Sequence, residues 1–286
     1  MKIEKESCQP FTRAVFVIAK YHDLLHRLGL DSIEGVKAFQ GELIKNHKGR
    51  RDIQRVTGIL PGRREQAPIL YLKRNWQPYK KDGLHSLVTR GQVWSLSRVE
   101  WENTLALQRA GITVAEPIAC GEVCGLFWEK FSFILTAAAN GDITLEEFLK
   151  TSRDVEERHR VIEALAKEIR KMHDAGLASP DLFTRHIFVE RGREPRFCLI
   201  DMARLDRRER HSAKLRARDL AALNITAPLR FVTKEERRVF HVAYGGDAQL
   251  KQMIDRRMEH LLKRRKFADF TSPGHQCADS SKRSSR

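Results

Sequence analysis

Residues 179–201, SPDLFTRHIFVERGREPRFCLID, constrain the fold more than any other part of the chain. Asp181 follows a Ser-Pro pair in a loop, and His186 opens an apolar, β-prone run over residues 186–189. A turn over residues 190–195 contains Gly and Pro, and a second apolar run over residues 197–200 delivers Asp201 at its end. A hairpin of this length can return Asp201 close to Asp181, placing two carboxylates and an imidazole within reach of one ligand. An ordinary surface hairpin with Asp caps accounts for the same letters, so this stretch alone leaves both readings open. The segment before it is the best helical pattern in the chain. Val155, Ile162, Leu165, Ala166, Ile169, Met172 and His173 recur at helical intervals between residues 152 and 175, and Gly176 stands at the stop. Such a helix gives the Asp181 loop a rigid base.

Upstream, the spacing of Phe11, Val15, Ile18, Leu25 and Leu28 predicts a helix over residues 11–28, ended by Gly29. His22 and His26 share a face of it, but no third ligand is evident and solvated or packing histidines are the expectation. Residues 41–45 and 52–60 read as strands joined by the basic turn from Asn46 to Arg51, which holds Lys48 and Gly49. Residues 67–73, APILYLK, read as a third strand ending at Lys73, and residues 75–96 as a loop. Ser97 and Glu100 have the spacing of a capping box at the head of the next helix, which Gly111 ends. Two more strands are expected at residues 117–123 and 131–136, then a helix from Thr144 and a helical C-terminal region with starts near Thr233 and Asp247. The segment 269–286 is polar, without periodicity, and reads as a disordered basic tail.

Charge narrows the partners. The formal net charge of +16 attracts phosphates, nucleic acid or anionic headgroups, and does not choose among them. The aromatics are not interleaved with the basic runs, so stacking of single-stranded RNA is not suggested and no nucleic-acid partner is expected. Arg204, Arg207, Arg208 and Arg210 suit an anionic substrate or simply a solvated face. Five cysteines without zinc-type spacing read as reduced thiols of a cytosolic protein. The charged start MKIEKE and the short apolar run 14–19 support neither a signal peptide nor a membrane span, so any membrane contact is expected to be peripheral.

Strands with one helix after the third, then a linker and further helices, match a nucleotide-binding lobe joined to a helical lobe. With GELIKNHKGRRDIQRV, YLKR, VEWENTLALQRAGI, SPDLFTRHIFV and LIDMARL in this order, the chain resembles the lipopolysaccharide kinase (Kdo/WaaP) family over roughly residues 21–266. The resemblance implies an α+β, bilobal protein-kinase-like fold: an N-terminal antiparallel β-sheet lobe with one key helix, and a mainly helical C-terminal lobe. It divides the chain into a helical extension (1–35), an ATP-binding lobe (36–137), a lobe with the catalytic loop and metal site (138–268) and the tail. It implies ATP and Mg²⁺ as cofactors, and phosphorylation of a Kdo or heptose hydroxyl on a lipid-linked core glycan at the cytoplasmic face of an anionic inner membrane. Carried onto matching positions, Lys73 binds the ATP phosphates with Lys48 and Gly49 over them, Glu100 orients Lys73, Asp181 is the catalytic base, and His186 and Asp201 hold the metal. One departure stands out: the family commonly has His two positions before the catalytic Asp, where this chain has Ser179 followed by Pro180. An inactive kinase-fold binding module in envelope assembly is the alternative this departure keeps open, and the basic tail permits a second, an atypical kinase with another substrate.

Overall fold

The computed structural model describes residues 3–8, 11–57, 68–76, 78, 91–209, 212–227 and 230–263. The chain forms two compact units, Met1–Gly141 with Phe197–Leu205, and Asp142–Arg196 with Asp206–Arg286.

In the first unit the described residues form an antiparallel sheet of β1 (Ile3–Cys8), β2 (Phe11–Val17), β3 (Glu42–Asn46), β4 (Arg51–Val56), β5 (Leu70–Asn75), β6 (Pro117–Cys124) and β7 (Glu129–Ala137). Their spatial order is β1-β2-β6-β7-β5-β4-β3. The helix expected over residues 11–28 is thus half wrong: its first part is β2, paired with β6 from Thr12↔Cys124 to Val17↔Ala119, and only His22–Leu28 is α-helical (α1), entered through a 3-10 turn over Ala19–Tyr21. Residues 1–35 are accordingly not a helical extension, since β1 and β2 continue the sheet. The letters that fit a helical stripe also alternate. Ala14 and Phe16 are buried with Trp101, Cys120 and Ile134, while Val15 and Val17 pack on the opposite face. With Thr12, Val15 and Val17 β-branched, the period of two won.

That opposite face is covered by α1 and by α2 (Ile33–Ala38), whose Leu25, Ile33 and Val36, with Leu30 of the link between them, are buried among Val56, Leu70, Leu72 and Phe133. Arg74 fixes the cover in place. It is 2% exposed, pairs through Nε and Nη2 with both oxygens of Asp52 (2.9 and 3.2 Å), and donates from Nη1 to the carbonyls of Val36 and Phe39 (2.9 Å each) at the end of α2. A buried guanidinium with that many acceptors is a structural group. Its neighbour Lys73 lies on the other face, because successive strand residues point oppositely. Against that face packs α3 (Leu96–Arg109), through Trp101.

The second unit contains α4 (Leu145–Thr151), α5 (Val155–Asp174), α6 (Ala213–Thr226), α7 (Lys234–Tyr244) and α8 (Ala248–Leu262). Strand β8 (Ile143–Thr144) pairs with β10 (Ile187–Glu190), and β9 (Leu177–Ala178) with β12 (Asp206–Arg207). The expected starts hold: Thr144, Thr233 and Asp247 cap α4, α7 and α8, and Thr233 forms a full capping box with Glu236. Helix α5 begins at Val155 rather than residue 152, and Val155 is 63% exposed, outside the buried stripe. No described helix is long and apolar enough to cross a membrane. The tail 269–286, the strand residues expected beyond 57 and most of the loop 75–96 lie outside the described residues.

Gly176 turns the chain from α5 into β9. Its φ is +74° and a Cβ there would run into the Arg208 carbonyl oxygen, a backbone atom that cannot swing aside as a side-chain end could. Gly176→Ala is expected to destabilise the protein by about 1–3 kcal/mol, read as a fall in thermal midpoint of roughly 2–4 °C per kcal/mol for a chain of this size class.

Candidate active site

The first unit brings Lys73, Glu100 and Asp201 together. Lys73 Nζ donates to Glu100 Oε1 at 2.6 Å, Glu100 Oε2 at 2.9 Å and Asp201 Oδ1 at 3.0 Å. An ammonium has three N–H donors, and here each has an acceptor. The Lys73 and Glu100 side chains are 14% and 9% exposed, and that of Asp201 is 39% exposed, so the cluster opens toward solvent on the Asp201 side.

Local structure explains why Glu100 is available. The sequence pattern gives it a capping role with Ser97, but the cap is Ser95, whose side chain accepts from Arg98 N. Starting two residues earlier than the pattern suggests, α3 places Ser97 inside the helix. There it takes hydrogen bonds from Asn75 Nδ2 (3.0 Å) and the Ser132 hydroxyl (2.7 Å). Glu100 therefore has no capping duty and reaches Lys73. Glu122 and Glu129, on β6 and β7, accept from the backbone N–H groups of Ser95 and Leu96 at the head of the helix, where carboxylates meet the positive end of its dipole.

Asp201 follows β11 (Arg196–Leu199), and Leu199 is tied into the unit by hydrogen bonds with Thr113 and Ala115. Its φ is +58°, a left-handed conformation that Asp tolerates better than most residues. Asn103, one turn after Glu100 on α3, holds the next residues by donating to the carbonyls of Met202 (3.0 Å) and Ala203 (3.1 Å). One helix face thus positions both the lysine's partner and the loop that carries Asp201.

The β3–β4 hairpin lies beside this cluster. Lys48 (φ +52°) and Gly49 (φ +72°) are the central residues of a tight turn closed by Arg50 N to His47 O (3.0 Å) and His47 N to Arg51 O (2.8 Å). Two successive left-handed residues define the hairpin turn that favours Gly at its second position. Arg51, at the start of β4, places its guanidinium 3.8 Å from Asp201, a contact that no local sequence pattern signals. His47 is held below its usual pKa by burial and by Lys45 and Arg51, against the opposing pull of Asp201.

In the second unit the loop with Asp181 and His186 is anchored by α6. Asp219 is fully buried; one oxygen accepts from Ser179 N (2.5 Å) and faces His173 Nε2 (3.3 Å), and the other accepts from Arg218 Nε (2.8 Å). His173 Nδ1 meets the Tyr244 hydroxyl at 2.8 Å. Two turns further along α6, Thr226 O accepts from the Thr184 hydroxyl (2.7 Å) and Thr226 Oγ1 from Thr184 N (3.1 Å). The loop is thus pinned at both ends, with Asp181 between. The sequence signal for Asp219 was an acid inside an apolar helical run, RDLAAL, where burial demands partners. Ser179, in place of the expected His, is itself buried, and its hydroxyl accepts from Asp181 N at 3.3 Å.

His186 Nδ1 lies 3.0 Å from the Asp181 carbonyl oxygen. That contact requires the proton on Nδ1, which leaves the Nε2 lone pair outward as an acceptor, and Arg185 Nε donates to it at 3.3 Å. A metal-binding imidazole has the same arrangement, its far N–H held by a carbonyl. Among the described residues no cluster of three or more His, Cys, Asp or Glu side chains could hold a metal by itself. The half-exposed carboxylate of Asp201 is of the oxygen-donor type that a hard divalent cation takes. The buried thiols of Cys120, Cys124 and Cys198 are all pushed up in pKa by burial, which keeps them protonated and poor nucleophiles.

A sheet unit with a lysine paired to a helix glutamate, together with a helical unit carrying an anchored Asp loop, defines a protein-kinase-like fold. The solved structure of WaaP in complex with acyl carrier protein matches it with a TM-score of 0.63 and 21% sequence identity, covering 86% of this chain and 98% of that one. The model of the lipopolysaccharide kinase (Kdo/WaaP) family matches residues 34–244, and the chain belongs to that family. Among curated proteins it is similar to the lipopolysaccharide core heptose(I) kinase WaaP of Pseudomonas aeruginosa, 27% identical over 83% of this chain and 92% of the relative. It is also similar to the enzyme of the same name from Escherichia coli, 28% identical over 68% and 74% respectively.

Asp219→Ala leaves Ser179 N, His173 and Arg218 without a buried acceptor. It is expected to cost about 3–5 kcal/mol of stability, measured by chemical denaturation.

Proposed function

We propose that this protein is an ATP-dependent kinase that phosphorylates a heptose or Kdo hydroxyl of the lipopolysaccharide inner core, working peripherally at the cytoplasmic face of the inner membrane. The observation that carries the reading is the lysine between Glu100 and Asp201 in a chain of this family. The named activity of the two curated relatives supports heptose as the acceptor sugar.

ATP supplies the phosphoryl group and Mg²⁺ neutralises the charge between its phosphates. Lys73 exchanges its bond to Asp201 for a phosphate oxygen and keeps Glu100, because Asp201 is the more exposed of its two partners. Asp201, freed by that exchange, and His186 are the residues that would hold the metal. Lys48 and the backbone of Gly49 bind phosphate from the hairpin turn. Asp181 orients the acceptor hydroxyl and takes its proton, and the pinning of its loop by Asp219 and Thr226 fixes it for that task. The tie between Asp219 and the Ser179 backbone supports an active enzyme despite the missing His, because it holds the loop without that side chain.

Calorimetry tests the nucleotide site. ATP binding by the wild type is expected to require Mg²⁺, and in Asp201→Ala the Mg²⁺-dependent part is expected to vanish. A well-folded wild type that binds no ATP would instead place the protein among inactive kinase-fold modules. Asp181→Asn is expected to keep nucleotide affinity and lose turnover on an inner-core acceptor. Glu100→Gln, which leaves Lys73 with one carboxylate, is expected to lower kcat/KM for ATP by roughly 10²-fold with the fold intact; unchanged kinetics would remove Glu100 from the site.

A further inference from the structure

The β6–β7 hairpin ends in Leu126, Phe127 and Trp128, which are 59%, 51% and 40% exposed. Gly125 N donates to Trp128 O at 2.8 Å, so Leu126 and Phe127 are the two central residues of a tight turn. Such positions ordinarily carry Gly, Asn, Asp, Ser or Pro. Neither residue here has a positive φ, so the backbone does not explain the choice, and exposure at this level means the core does not either. The tip is also firmly based: Cys124 pairs with Glu129 directly beneath it, and Glu122 and Glu129 bind the head of α3. A convex, rigid, apolar tip ending in Trp is suited to the boundary between water and lipid, where an indole has both an apolar body and a polar N–H.

Its surroundings carry positive charge. Exposed Lys130 follows on β7. The register places a second hairpin tip at the same end of the sheet, since Arg51 on β4 is level with Asn75 on β5, and Asn75 with Ser132 on β7. That second tip is the turn beside exposed Arg50, in the run KNHKGRR, which contains no acid. Two strand spacings separate β7 from β4, or about 10 Å. An apolar tip that projects past Lys130 and shares its end of the sheet with a cationic second tip matches an anionic bilayer: apolar groups enter the interface while Lys and Arg meet headgroups. Three turn residues are too little for a stable protein interface, which takes roughly 800 Å² from each partner.

We propose that the Leu126–Phe127–Trp128 tip is a membrane-insertion element that holds the sheet unit to an anionic lipid surface. The proposal deepens the reading of the protein as a kinase of a lipid-linked acceptor and rests on it for its purpose, but its test does not depend on turnover. The full-length protein is sedimented with vesicles of phosphatidylcholine containing roughly one third phosphatidylglycerol, at the surface charge where basic proteins bind measurably. The wild type is expected to bind these vesicles, and Leu126→Ser/Phe127→Ser/Trp128→Ser to partition at least ~10-fold less, as loss of several buried apolar groups requires. Its thermal midpoint and Mg²⁺-dependent ATP binding are expected to be unchanged. If the triple variant does not fold, Phe127→Ser alone is read in the same assay and is expected to weaken partition by a few fold. On the acceptor side, the triple variant is expected to lose turnover with bilayer-embedded lipopolysaccharide and retain it with soluble, de-acylated core oligosaccharide. Equal partition of variant and wild type, no wild-type binding to the anionic vesicles, or a tip protected only by a protein partner would each overturn the proposal. A wild type that binds vesicles through the tip yet transfers no phosphate would leave the membrane element standing and remove the kinase reading.

Discussion

A lysine whose three ammonium protons are all taken by two carboxylates organises the sheet unit. Lys73 is a strand residue, Glu100 comes from a helix and Asp201 from a segment far along the chain, so three separate pieces must be correctly placed before the cluster exists. Burial raises the stakes, because a half-paired charge at 14% or 9% exposure loses solvation that nothing replaces. The neighbouring interactions read as means to that end. Ser95 takes over the cap, Ser97 bonds the helix to the sheet, and Asn103 grips the backbone just after Asp201. Arg74, one residue from Lys73, secures the opposite face with a second buried pair. Two adjacent cations on one strand thus have separate duties, assigned by the pleat.

The helical unit solves a similar problem with one helix. Asp219 and Thr226 are seven residues apart on α6, two turns and about 10 Å along its axis, and they hold the loop at Ser179 and Thr184. A helix is stiff over that length, so the segment containing Asp181 has its two ends fixed by a single rigid body. This bears directly on the Ser179 departure. The backbone N–H of Ser179, rather than a side chain at that position, makes the essential bond to Asp219, and any residue but proline offers that donor. The substitution therefore changes what packs around the loop without removing its anchor.

Much of this was legible in the letters, for reasons that particular residues make clear. The α5 stripe, the Gly29 and Gly176 stops and the helix start near Thr233 follow from local periodicity and cap chemistry, while the ordering of Lys73 before Glu100 before Asp201 was carried by the family resemblance. Residues 11–17 were misread because Phe11, Val15 and Ile18 satisfy a helical spacing while Ala14 and Phe16 satisfy a strand spacing, and pairing with β6 decided between them. Ser97 and Glu100 have the letters of a capping box, but a box is a statement about where a helix starts, and Ser95 started it. Asp219, Arg51 and Asn103 escaped notice because each has meaning only through a partner remote in sequence.

By itself, then, the sequence determined most of the local elements, since propensity, periodicity and caps act within a few residues, and the family resemblance pointed to the candidate reactive groups. It also determined the family, through five short motifs in a fixed order. Tertiary structure alone decided which strand neighbours which, that Glu100 serves Lys73 and not its own helix, and that Asp219 anchors the loop through the Ser179 backbone N–H. It also decided that Leu126, Phe127 and Trp128 stay partly exposed, because burial depends on what the rest of the chain brings alongside and no local rule can supply that.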